Sequence, residues 1–239
     1  MPSTYALLFV RFLVIVTVLG KWYRICEQEY LSLFPALAIS YYANLKRFIV
    51  QENIYDEFAG RLAERLKGMK IGDPLDQGSR IGPLIDERAA QRVEEIVDRT
   101  VKAGAYCLCG GRRFDGNFFE PTVLTGVTPA MDIAQNLEVF GPVFPLIKFK
   151  TEEQAVAIAD NCTYGLSSGV ISGEIQRAIR VARQLDAGNC TINGTGLYRT
   201  HDMPFGGHRK SGLGTEGLYA TLDEFTKTKT YVWKGAAIR

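Results

Sequence analysis

Apolar side chains follow two different rhythms in this chain, and the change comes near Leu45. Ahead of it, Tyr5 to Leu19 (YALLFVRFLVIVTVL) is almost wholly apolar, with Arg11 its one charged residue. The run is shorter than the roughly 20 residues a membrane-spanning helix needs. No charged side chain precedes Arg11, whereas a signal peptide carries positive charge before its apolar core. The β-branched stretch Phe12 to Val18 suits a buried strand or helix, with a signal anchor as the alternative. Residues 20–44 show no period.

From Leu45 onward, short apolar runs alternate with segments of helical period. Lys46 to Gln51 (KRFIVQ) predicts a buried strand. Asn53 is the expected cap of a helix with Ile54, Phe58, Leu62 and Leu66 on one face, ending near Gly68. A second helix is expected over Asp86–Lys102, with Val93, Ile96, Val97 and Val101 on its apolar face and Gly104 as its stop. Strands are expected at Tyr106–Cys109, Phe119–Val127, Val143–Phe149, Leu166–Ile171 and Cys190–Asn193. Helices are expected from Thr151 through Ala159 and over Glu174–Leu185. Such alternation predicts an α/β fold: a largely parallel sheet with flanking helices. Phe225 to Trp233 (FTKTKTYVW) alternates instead, and predicts a C-terminal β arm whose lysines guard an edge.

Composition changes this picture little. The 239 residues carry a formal net charge of +2, with acidic and basic residues interspersed. A nucleic-acid partner would need a clustered basic face. Cys26, Cys107, Cys109, Cys162 and Cys190 are odd in number and lack zinc-ligand spacing, so no metal site is expected. They read as free thiols in a reducing compartment, which points to a cytoplasmic protein.

Six segments then occur in a telling order: KRFIVQENIYDEF, IGDPLDQGSRIGPLID, FFEPTVLTGV, EVFGPVFPLIKF, ADNCTYGLSSGV and MPFGGHRKSGLGTEG. Together they resemble the aldehyde dehydrogenase family over roughly residues 45–239. The resemblance implies a catalytic α/β domain at 45–217 and an oligomerisation arm at 218–239, preceded by the apolar segment 1–44. It implies NAD or NADP as cofactor and a small aldehyde as substrate. In that family a cysteine thiolate attacks the aldehyde carbonyl, hydride passes to the nicotinamide, and a glutamate base activates the water that releases the acid.

Motif by motif, the resemblance puts Glu138 and Phe140 of EVFGPV at the nicotinamide ribose, as one wall of the cofactor site. A turn glutamate and a core phenylalanine are the plainer reading. Phe205 falls at the aldehyde tunnel, which the loop Gly194–Met203 would shape. Tyr198, Arg199 and His201 are the selectivity candidates in that loop, or else residues of an ordinary surface loop. Asn193 would bond backbone groups near the pocket. Glu216 would lie near the water path, or form a structural ion pair.

The resemblance breaks upstream. The family's nucleophile stands in a Gly-Gln-x-Cys context five positions before the arginine matched by Arg47, which makes Tyr42 its slot. A phenol titrates near about 10 and is a poorer nucleophile toward carbonyls than a thiolate. No acidic residue lies between Met1 and Cys26 to match the base, and residues 1–44 hold no Gly-rich dinucleotide turn. No catalytic residue is therefore assigned, and the expectation is a chain inactive by itself. The alternatives are a non-catalytic partner, docking through its arm onto a copy of itself or a full-length relative, and a truncated or misread gene product.

Overall fold

A computed structural model describes residues 15–19, 46–194, 196 and 198–235. Its centre is a seven-stranded sheet. The strands are β1 (Ile15–Leu19), β2 (Arg47–Gln51), β3 (Tyr106–Cys109), β6 (Thr122–Val127), β7 (Val143–Phe149), β9 (Ser167–Ser172) and β10 (Asn189–Ile192). Their order is β10-β9-β1-β2-β7-β6-β3, and every neighbouring pair is parallel except β3 with β6. The expected α/β class is the one observed. β1 sits between β9 and β2, so this part of the apolar N-terminal segment joins the same sheet as the strands that follow Leu45. Most of the stretch weighed as a signal anchor lies outside the described residues. Among the described residues, no helix is long and apolar enough to cross a membrane.

Both faces of the sheet are covered at β2, which explains why β2 reads as a continuous apolar run. Phe48 and Val50 point to one face, where they meet Ile54, Phe58, Leu62 and Leu66 of helix α1 (Glu52–Lys67). Ile49 points to the other, packed with α2 (Glu87–Lys102), α3 (Glu152–Asp160) and α4 (Ile175–Ala182). α2 starts as expected, with the Asp86 carboxylate accepting from the Ala89 N–H at 2.7 Å.

Several boundaries differ from the sequence reading. α1 emerges directly from β2, with Gln51 and not Asn53 at its N-cap. Val101 is 38% exposed, off the apolar face of α2. The expected strand Phe119–Val127 is two strands, because Pro121 has no N–H for a ladder. Phe118–Phe119 (β5) pairs with Arg113–Phe114 (β4), and β6 begins after the proline. A ribbon of Tyr164–Gly165 (β8) and His208–Arg209 (β11) leads into β9. At the C-terminus, Leu218–Phe225 is a helix, α5, and residues 226–234 form no strand within the chain. Only the start of the expected arm is corrected, since a strand that pairs with another chain would stand unpaired here. Phe225 ends a helix and opens no strand.

Arg47 ties β2 to the helical layer. It is 0% exposed, and its guanidinium donates to the carbonyls of Ala134, Ile158, Ala159 and Asn161 at 2.9–3.4 Å. Burial lowers its pKa, and the Cys162 thiol works in the opposite direction. The C-terminal carbonyls of α3 supply the partial negative charge that a buried cation requires.

Candidate active site

The first group of candidate residues lies in the loop ahead of β7. Val139 is buried there. Gly141 presses on α2 so closely that a Cβ would come within 2.9 Å of Val93 Cγ2. The Pro142 carbonyl accepts from the Thr122 N–H at 2.8 Å. Pinned on both sides, the loop leaves Glu138 half-buried and the Phe140 ring 49% exposed. A carboxylate and an open aromatic face on one rigid loop fit one wall of a nucleotide-ribose site. The core-phenylalanine alternative for Phe140 is corrected by its exposure.

The second group follows β10. Asn193 adopts the left-handed conformation, with φ of 52°. Its N–H donates to the Val170 carbonyl at 2.7 Å, and its Oδ1 accepts from the Ser172 N–H at 2.9 Å. Tyr198 stands 63% exposed. Arg199 Nη1 lies 2.7 Å from Glu216 Oε1, and its guanidinium carbon is 4.3 Å from the centroid of the Phe205 ring. Phe205 is 5% exposed, and its backbone exchanges two 2.7 Å hydrogen bonds with Glu216. These three candidates form one cluster, an aromatic ring roofed by an ion pair. The His201 side chain is exposed, while its carbonyl accepts from the Leu218 N–H at 3.1 Å and so ties the loop to α5. The Thr200 hydroxyl holds the Asp202 carboxyl below its ordinary range.

Arg209 was missing from the sequence reading. It too is left-handed, with φ of 54°. It donates to the carbonyls of Asp160, Cys162 and Asp186, and its Nε lies 2.8 Å from Asp186 Oδ2. This clamp holds the segment after Phe205 against the turns that follow α3 and α4. A lone RK pair after two glycines gives no hint of it. Tyr42 lies outside the described residues, and so does Cys26. Burial raises the pKa of the Cys190 thiol, and the Cys162 thiol donates to the Tyr164 carbonyl at 3.0 Å.

The sequence model of the Aldehyde dehydrogenase family matches residues 43–231. The chain belongs to the aldehyde dehydrogenase family. It is 39% identical to the lactaldehyde dehydrogenase of Methanococcus maripaludis over 184 residues, 77% of this chain and 39% of that protein. It is 42% identical to the mitochondrial succinate-semialdehyde dehydrogenase of Rattus norvegicus over 192 residues, 79% of this chain and 36% of that one. Among solved structures, the succinate-semialdehyde dehydrogenase of Burkholderia pseudomallei superposes with a TM-score of 0.81 at 36% identity, covering 89% of this chain and 44% of the other. The NAD-dependent aldehyde dehydrogenase of Sinorhizobium meliloti gives 0.82 at 33% identity, covering 95% and 45%. The chain thus spans about two-fifths of the length of these aldehyde dehydrogenases.

Proposed function

We propose that this chain carries part of the site for NAD(P)-dependent oxidation of a small aldehyde to its carboxylic acid, and that the 239 residues do not catalyse it by themselves. The observation that carries this reading is the family match combined with Tyr42 in the slot of the nucleophilic cysteine. In this reading residues 45–217 are the catalytic portion and 218–239 the oligomerisation arm, while the segment 1–44 contributes β1 to the sheet of the catalytic portion. Glu138 accepts hydrogen bonds from ribose hydroxyls, and Phe140 packs against the sugar and nicotinamide. The bound nucleotide would supply the hydride acceptor. Asn193, Tyr198, Arg199, His201 and Phe205 shape the aldehyde pocket. The ion pair with Arg199 favours a structural role for Glu216 over one in proton transfer.

A second reading is a non-catalytic subunit of a homo-oligomer, or of an assembly with a full-length relative, in the cytoplasm. It is favoured by α5, which buries none of its residues although Leu218, Tyr219, Leu222 and Phe225 are apolar.

The test is an assay of the purified chain with aliphatic and aromatic aldehydes and with both nucleotides. No nucleotide reduction is expected, either from the natural sequence or from Tyr42→Cys, since one thiol restores neither a base nor an oxyanion donor. Turnover by pure natural-sequence protein would overturn the claim of inactivity. Turnover gained through Tyr42→Cys alone would overturn the account of what else is lacking.

A further inference from the structure

β9 contains two adjacent buried serines, each 0% exposed. The Ser168 hydroxyl donates to the Asn189 carbonyl at 2.9 Å, a bond between neighbouring strands. The Ser167 hydroxyl leaves the sheet and donates to the carbonyl of Gly196, at 2.5 Å. Gly196 is itself buried, within the loop that contains Tyr198 and Arg199.

The path of the chain explains why that bond matters. β10 runs parallel to β9, with Ile192 level with Val170. Asn193 then turns in the left-handed conformation and fixes itself to Ser172, at the far end of β9. By Gly196 the chain has returned to the level of Ser167, where β9 begins. The backbone there lies directly on the sheet. A Cβ on Gly196 would fall 2.5 Å from Ser167 Oγ and 3.0 Å from the backbone N and O of Ser168. The loop is therefore bonded to both ends of one strand, by Asn193 at one and by Ser167 at the other. Beyond the second anchor, Tyr198, Arg199 and Thr200 are exposed.

We infer that Ser167 is the positioning residue of this loop: its hydroxyl fixes the Gly196 carbonyl, and with it the direction in which Tyr198 and Arg199 leave the sheet. A buried carbonyl deprived of its donor is costly, so the loop lifts more often when the hydroxyl is gone. The consequence for aldehyde selectivity rests on the pocket reading above, but the anchoring itself does not.

Limited trypsin digestion under native conditions reads the anchor, because Arg199–Thr200 is a cleavable bond within the exposed part of the loop. Ser167→Ala should be cut there about tenfold faster than the natural sequence, the size expected from one buried hydrogen bond. Ser168→Ala removes an equally buried hydroxyl, and should lose similar global stability in urea without changing the Arg199–Thr200 rate. Equal rates in the two variants, or an unchanged rate in Ser167→Ala, would overturn the inference. Hydrogen exchange on the natural sequence gives a check that needs no variant. The amides of Asn193, bonded to the Val170 carbonyl, and of buried Gly196 should be protected and those of 198–202 fast, and fast exchange at Gly196 would also overturn it. No aldehyde enters either measurement, so a wrong pocket assignment would leave both results standing.

Discussion

The surroundings of β2 and the stretch from Leu218 to Trp233 have similar shares of apolar residues and opposite fates. Phe48, Ile49 and Val50 are 0% exposed, enclosed by helices on both faces of the sheet. Leu222, Phe225, Tyr231 and Trp233 are between 53% and 85% exposed. Helical period alone does not separate the two regions, since Leu218, Leu222 and Phe225 share one face of α5 much as Ile54, Phe58, Leu62 and Leu66 share one face of α1. What differs is whether the described chain provides an opposing surface. An apolar helix face that no described residue covers is the kind of surface a partner would cover, as the second reading above proposes.

The sharpest way to break this contrast is to attack the pin at the start of β2. Arg47→Met leaves several buried carbonyls without their donor, and should cost about 4 kcal/mol in urea unfolding. A loss below about 1 kcal/mol would mean that the layers do not depend on that guanidinium. Next comes a matched pair of leucines. Leu62→Ala should cost about 3 kcal/mol through transfer and cavity terms. Leu222→Ala, on the exposed face, should cost the isolated chain under about 0.5 kcal/mol. Similar losses in both would show that α5 is packed after all.

The smallest effect concerns the link between α3 and α4. Glu152 receives two 3.0 Å hydrogen bonds from Arg180 and lies 2.8 Å from Arg177 Nε. The Arg180 bonds, above all, hold its carboxyl below the ordinary range. A depressed folded-state pKa stabilises the fold above the unfolded value of about 4.3, and that contribution is lost as pH falls through the folded value. Glu152→Gln should therefore be less stable than the natural sequence at neutral pH, by under about 1 kcal/mol, with the gap closing in acid. A gap that widens in acid would contradict the assignment.

Local chemistry was legible from sequence and remote chemistry was not. The strand at β7 and the helix starts at Asp86 and Thr151 were readable because their signals lie within a few residues. Pro121 could have divided β5 from β6 on its missing N–H alone. α5 was readable from the spacing of Leu218, Leu222 and Phe225, but the alternation that follows in TKTKTYVW drew Phe225 into a strand. The Arg47 pin was out of reach, because its acceptors lie 87 to 114 positions away. The same holds for Arg199, Phe205 and Glu216. The family motifs single out Phe205 and Glu216, but only the fold reveals that Arg199 joins them to roof the ring.

The measurement that bears most directly on the contrast between the two regions is light scattering behind gel filtration, on the intact chain and on a chain ending at Gly217. The account predicts a defined oligomer for the intact chain, in which Leu218, Leu222, Phe225 and Trp233 are covered, and a fall in that fraction once residues 218–239 are removed. A monodisperse monomer of the intact chain at micromolar concentration would contradict it, as would an oligomer indifferent to the truncation.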